Sequence, residues 1–259
     1  MQEKSITFIG GGRIVKILLQ GLQKANKSPQ HINVCETSSE TFQNLQKRFQ
    51  DIKINSTTLT DCDKFEYIFL AVHPPVMGEV LGKMTGHVKE NSIVISLAPK
   101  FTCARISELL NGHKKIVRMI PNAPSIVNAG YNPVYFNSGI SDPEKQELFK
   151  FFAAFGQTPE VEENQLEAYA IITGMGPTYL WFQWQELEKL SIDFGMTLDQ
   201  ARTAMYNMLS GAIKTLHRSG LTYEEVIDLI PVKPIGEHEE QISEIYRTKL
   251  TGLFNKIKS

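Results

Sequence analysis

Residues Ser5–Val15, S-I-T-F-I-G-G-G-R-I-V, constrain this chain more than any other stretch. Ile6, Phe8 and Ile9 make a short apolar run suited to a buried parallel strand, and Ile14, Ile17, Leu18 and Leu22 share one face of a helix. Three glycines separate the two patterns. A strand turning directly into a helix needs backbone without Cβ at the turn, and Gly10 and Gly12 stand at the first two positions of the G-x-G-x-x-G spacing. The amides of such a turn, at the positive end of a helix, receive a pyrophosphate. Val15 fills the third glycine position, which should push helix and strand slightly apart. A strand before and a helix after are the context that distinguishes a dinucleotide turn from an ordinary glycine-rich loop.

The chain then repeats this alternation. Ile32–Cys35 reads as a second strand ending at Glu36, the place where an acidic residue binds ribose hydroxyls about 20 residues beyond the glycines. Glu36 favours NAD by repelling a 2′-phosphate. Thr37, Ser38 and Ser39 could accept that phosphate if Glu36 turned away, or could cap a helix over Thr41–Phe49. Arg13 can supply charge to either phosphate group, so NADPH and NADH both remain open as cofactor. Glu66–Val72 is a further buried strand, stopped by His73-Pro74-Pro75, and a helical face follows through Val76, Val80, Leu81 and Met84. Ile93–Leu97 and Ile116–Ile120 are strands, with a helix through Ile106–Leu110 between them. A helix over Asp142–Phe155 and a short strand at Pro159–Val161 complete the series. Strands alternating with helical faces predict an α/β, Rossmann-like, doubly wound and mostly parallel sheet, with ligands at the carboxyl ends of its strands.

From Glu162 the strand-like runs cease. Thr173-Gly174-Met175-Gly176-Pro177 reads as a loop, with Pro177 opening a helix that carries Tyr179, Trp181, Phe182 and Trp184 and stops near Gly195. Thr197–Gln200 and Thr222–Glu225 are capping-box patterns, and a last helix runs from about Glu239 to Ile257. The boundary is expected at residue 161, giving a nucleotide-binding domain over 1–161 and an all-α dimerisation and substrate domain over 162–259. Apolar residues nearly encircle the first turns of the Trp181 helix, which points to an interlocked homodimer.

A net charge of −1 leaves no electrostatic footprint for a nucleic-acid partner, and no apolar run reaches the ~20 residues a membrane helix needs. Residues M-Q-E-K-S lead straight to the first strand without a signal-peptide segment, and three scattered cysteines make no disulfide framework. A cytoplasmic protein with reduced thiols is expected. The six histidines show no metal-ligand spacing, so no metal is expected.

The pieces F-I-G-G-G-R-I, F-L-A-V-H-P at Phe69–Pro74, R-M-I-P-N-A-P at Arg118–Pro124 and G-M-G-P-T-Y at Gly174–Tyr179 occur in the order seen in pyrroline-5-carboxylate reductases, which the chain resembles over nearly its whole length. The resemblance implies a Rossmann domain, a helical dimerisation domain often assembled into larger rings, and hydride transfer from NAD(P)H to a ring C=N, giving proline. By position it implies that Ile9, Gly10, Gly11, Gly12, Arg13 and Ile14 line the cofactor. Glu36, Thr37 and Ser38 would do so at the second strand, and Ala71, Val72, His73, Pro74 and Ala98 farther along the sheet. Asn122, Met175, Gly176, Gly236, Glu237 and His238 would face the substrate.

The departures fall on the substrate side. The family's P-G-G-x-T loop, which binds the substrate carboxylate, is Pro234-Ile235-Gly236-Glu237-His238 here. Ile235 adds bulk where backbone must come close, and Glu237 brings a like charge. Met175 replaces a serine and His73 a lysine. His238 is the candidate catalytic residue, as proton donor or substrate anchor, because histidine changes charge near neutral pH. Its alternative is a solvated histidine at an acidic helix start, and Asn122 reads as a residue that shapes its loop rather than as a catalyst. Two other functions stay open: a reductase of another imine or carbonyl on the same fold, and a dinucleotide-binding homologue without catalysis.

Overall fold

The computed structural model describes residues 4–258; the M-Q-E start read above and Ser259 lie outside them. Residues through Met175, together with the chain's end from Leu253, form one compact unit, and Gly176–Gly252 form a second.

The first unit is built on strands β1 (Ile6–Ile9), β2 (His31–Cys35), β3 (Lys53–Ser56), β4 (Tyr67–Leu70), β5 (Ile93–Ser96) and β6 (Ile116–Met119). Their order across the sheet is β3-β2-β1-β4-β5-β6, all parallel. The chain therefore winds outward from β1 in both directions, the expected doubly wound arrangement. A further strand, β8 (Val134–Phe136), closes the edge antiparallel to β6, while β7 (Gly130–Tyr131) and β9 (Gly156–Gln157) pair separately.

Successive strand residues point to opposite faces, and this divides the core in two. Tyr67 and Phe69 join one cluster, with Phe8, Ile95 and Val117. Ile68 and Leu70 join the other, with Ile9, Val94 and Ile116. Helices α1 (Arg13–Lys24), α2 (Ser39–Arg48) and α5 (Asp142–Phe152) supply Leu18, Leu45 and Leu148 to the first; α3 (Pro74–Met84) and α4 (Cys103–Leu109) supply Met77 and Ile106 to the second. Val15, at the third glycine position, is completely buried within the first cluster.

The units divide later than residue 161. Arg118 on β6 is fully buried and ion-paired to Glu163 (3.1 Å) and Glu167 (2.6 Å). Leu166 and Ala170 pack with Ile120, so residues 162–175, through α6 (Leu166–Tyr169), dock on the sheet's own edge. Of the segment expected to be a loop, Thr173 and Gly174 end a π-helical turn, Ala170–Gly174, while Met175 and Gly176 form the bend before Pro177; the Met175 amide donates to the Ala170 carbonyl at 3.0 Å.

In the second unit, α7 (Pro177–Asp193) starts on its proline, and both expected capping boxes form, at α8 (Leu198–Arg218) and α9 (Tyr223–Asp228). The unit ends within α10 (Glu239–Lys258). Across α7, α8 and α9 the only buried residue is Ala201, while Phe182, Phe194, Tyr206 and Ile213 are all more than half exposed.

Removing the guanidinium with Arg118→Met leaves Glu167 buried without its counter-charge. The expected loss is roughly 3 kcal/mol, the low end for breaking a buried pair because Glu163 is partly exposed. Arg118→Met with Glu167→Leu should recover part of it, measured as the urea-unfolding free energy.

Candidate nucleotide cleft

At the carboxyl ends of β1, β4 and β5 the backbone opens into a cleft of about 270 Å³. Gly10 makes the turn possible. Its φ is +98°, a left-handed conformation, and an added Cβ would lie 2.8 Å from the Ala71 carbonyl oxygen. Gly12 is the last residue before α1, and its Cβ would meet nothing within 4 Å. The first turn of α1 has no side-chain cap and no acidic residue, and it begins with the exposed Arg13. Amides with no competing acceptor, beside a cation and facing open space, fit a pyrophosphate.

The cleft brings together Gly12, Arg13 and Ile14 from the glycine turn, Ala71, Val72, His73 and Pro74 after β4, and Ala98 after β5. It adds Leu97, Pro99 and Pro121, which sequence reasoning did not assign. Their signal lay in the prolines closely following two strand runs. Ile9 does not reach the cleft with its side chain: it is 1% exposed and belongs to the core below. A larger recess, about 710 Å³, lies at the opposite, amino ends of the strands near Ser5, His31 and Tyr67, where a doubly wound sheet does not bind its ligand.

Glu36 stands just past β2. Its carboxylate accepts from the Gly11 amide (2.8 Å) and the Ser38 amide (2.8 Å), and Thr37 donates its hydroxyl at 3.4 Å. Ser38 caps α2, its hydroxyl accepting from the Thr41 amide at 3.2 Å. The capping reading of these hydroxyls therefore holds for Ser38.

The far wall is braced by the ion-pair network. Glu167 accepts from the Lys100 amide (3.2 Å) and Glu163 from the Cys103 amide (2.6 Å), holding the β5–α4 connection in place behind Leu97–Pro99. Lys100 has φ +80°, a conformation that a non-glycine residue holds only when its surroundings impose it.

Asn122, expected to face the substrate or to shape its loop, is hydrogen-bonded on both sides of its amide. It donates to the Thr173 carbonyl (3.2 Å) and accepts from the Tyr131 amide (3.2 Å), and it is buried. Met175 ends the π-helical turn half-buried in the first unit, and Gly176 precedes α7 in the second. Gly236, Glu237 and His238 form a single 3-10 turn before α10. Glu237 and His238 are exposed, with His238 Nε2 3.6 Å from the Glu237 carboxylate.

Thiol chemistry is disfavoured. Burial, with the charge of Glu36 added, raises the Cys35 thiol, burial pushes Cys62 up to about 12, and it raises Cys103 farther. Among the described residues no cluster of side chains could hold a metal ion, and no helix is long and apolar enough to cross a membrane.

Comparison with known proteins agrees with this geometry. Residues 5–100 match the family described as NADP oxidoreductase, coenzyme F420-dependent. Pyrroline-5-carboxylate reductase of Corynebacterium melassecola is 26% identical over 253 residues, covering 96% of this chain and 93% of that protein. The solved pyrroline-5-carboxylate reductase of Coxiella burnetii superposes with a TM-score of 0.69 at 25% identity, covering 99% of this chain and 95% of that one. The pyrroline carboxylate reductase of Plasmodium falciparum, solved with NADP bound, shares the fold with a TM-score of 0.72 at 18% identity, covering 100% of this chain and 95% of that one. By class, then, the chain is an NAD(P)-dependent oxidoreductase. Within that class it resembles the pyrroline-5-carboxylate reductases over nearly its whole length.

Two glycine variants separate the turn's two roles. Gly10→Ala should cost roughly 2–3 kcal/mol of stability, from its strained φ and its clash with Ala71. Gly12→Ala should leave stability within about 0.5 kcal/mol while obstructing the pyrophosphate. Urea unfolding paired with nucleotide titration by fluorescence reads both.

Proposed function

We propose that this chain reduces the ring C=N of pyrroline-5-carboxylate to give proline. The observation that carries the reading is an open, uncapped glycine turn in a chain that aligns nearly end to end with pyrroline-5-carboxylate reductases. When bound, the nicotinamide cofactor supplies a hydride to the imine carbon, and the imine nitrogen takes a proton. The first-turn amides of α1 and Arg13 hold the pyrophosphate. The apolar walls at Val72, Pro74, Leu97 and Pro121 would exclude water and orient a bound cofactor's ring. A protonated imine is already electrophilic, so this chemistry asks mainly for positioning.

Met175, Gly176, Gly236, Glu237 and His238 are the proposed substrate contacts, with His238 the proposed proton donor. Ile235 and Glu237 favour a second reading, a cyclic imine without a carboxylate, because Ile235 is exposed where the family has glycine backbone and the exposed Glu237 brings a like charge beside it. A homodimer is proposed as the working form. A helical unit burying so little of Trp181, Phe182, Phe194 and Tyr206 needs a partner surface, and a second copy supplies one. The unpaired cysteines fit a reducing compartment, and the cytoplasm is the proposed location.

The deciding assay follows nucleotide oxidation and proline formation by the purified protein with pyrroline-5-carboxylate, beside 1-pyrroline, which lacks the carboxylate. Proline formation is the expected result. Turnover of 1-pyrroline alone would move the assignment to the second reading, and nucleotide binding without turnover of either would reject both. Glu237→Ala should raise kcat/KM for pyrroline-5-carboxylate by up to about fivefold, the ~1 kcal/mol scale of an exposed charge pair. Light scattering should give twice the chain mass.

A further inference from the structure

We infer that the chain selects NADH over NADPH, and that Gly11 and Glu36 act as a pair to enforce the choice. The inference rests on the reading that the glycine turn holds a nicotinamide dinucleotide. Ile9 pairs with Cys35 in parallel register, and the Gly10 amide extends that ladder by donating to the Cys35 carbonyl at 2.8 Å. Glu36 therefore enters beside the glycine turn, on the side where the second strand of this fold meets the adenosine ribose. Its side chain is not free to swing away. One carboxylate oxygen accepts from the Gly11 amide and the other from the Ser38 amide, each at 2.8 Å.

Each carboxylate oxygen can accept more than one hydrogen bond. A ribose diol brings two hydroxyl donors to such a group, whereas a 2′-phosphate brings only negative charge and acceptors. Apart from Arg13, which the proposed reading gives to the pyrophosphate, the β2–α2 connection encodes no counter-charge. From Ser28 to Gln46 there is no lysine or arginine, and a second acid, Glu40, lies in the first turn of α2. Lys47 and Arg48 lie at that helix's far end, and Arg48 is hydrogen-bonded to Gln20. The Ser38 hydroxyl, which could have received a phosphate, already caps α2.

Gly11 explains how the carboxylate comes so close. The dinucleotide spacing asks nothing of this middle position, and its φ is not left-handed. Yet an added Cβ would stand 2.9 Å from Leu45 Cδ1 and 3.3 Å from Glu36 Oε2. A side chain there would force Leu45 or Glu36 to move. Gly11 is a positioning residue whose missing Cβ lets Glu36 sit against the turn.

Fluorescence titration of the full chain with NADH and with NADPH tests the pair without relying on turnover. The wild type should bind NADH at least about tenfold more tightly, the selectivity that a like-charge contact readily supplies. Glu36→Ser should weaken NADH, strengthen NADPH and bring the affinity ratio close to one. Gly11→Ala should shift the ratio in the same direction with unchanged circular dichroism, and Arg13→Ala should weaken both nucleotides alike. Equal affinities in the wild type, an NADPH preference, or a ratio unmoved by Glu36→Ser would overturn the inference and leave the reductase reading intact. Binding of neither nucleotide would overturn both.

Discussion

The close approach of β1 to β4 at Gly10 is the constraint on which the rest of the cleft depends. A Cβ at Gly10 would fall 2.8 Å from the Ala71 oxygen, so the strand can leave the sheet there only as glycine. That departure sets where α1 begins, and hence where its first-turn amides point. It also sets the spacing between the turn and Ala71–Pro74, which form the neighbouring wall. Glu36 is drawn in by the same geometry, because the Gly11 amide that it accepts from is presented by the turn. Three strand ends thus meet around one backbone contact, and much of the cleft's character follows from main-chain groups.

A second device holds the opposite wall. Arg118 projects from β6 into the buried interior beside the sheet's edge, where a lone guanidinium would be prohibitively costly, and two carboxylates from residues 162–175 neutralise it. Those carboxylates also accept from the Lys100 and Cys103 amides, so one network joins β6, the β5–α4 connection and α6. This explains why the compact unit runs past residue 161. The composition changes at Glu162 because strands stop, but the first helical turns after that point still belong to the sheet's polar wiring. Glu163 and Glu167 read in the sequence as ordinary surface acids, and nothing in their spacing announces a buried arginine as their partner.

What was legible follows the same division between backbone and side chain. The β1–β2–β4–β5–β6 series was visible because each strand carries apolar residues and, except at β2, which stops at Glu36, is followed closely by glycine or proline; Thr197 and Thr222 announced their helices by capping boxes that form. The edge strand β3 (K-I-N-S) escaped notice because it buries only Ile54 and carries no alternation long enough to register. Strand β8 pairs antiparallel within a series of parallel strands, and β7 and β9 are two residues each, shorter than any pattern. The expected strand at Pro159–Val161 is reduced to a single bridge from Glu160 to Val134. The Thr173–Pro177 segment looked like a loop because of its glycines; a π-helical turn takes its first two residues, and Met175 and Gly176 bend the chain into α7. Asn122, read as shaping its loop, makes buried hydrogen bonds to Tyr131 and Thr173.

The contrast between the cofactor and substrate positions has a chemical basis. A pyrophosphate is recognised by amides and helix geometry, so its site is legible in glycines and in the absence of caps. An imine substrate is recognised by whatever surrounds its substituents, and hydride transfer to an activated C=N demands little else from side chains. The Pro234–His238 segment can therefore change its charge and bulk without disturbing the sheet or the reaction class. Glu237 and His238 are both solvent-exposed in a short 3-10 turn, and their side chains do little for the fold of their own unit. In the proposed reading, residues free of structural duty are those on which selectivity can be rewritten, and the exposed Ile235, Glu237 and His238 are departures of that kind.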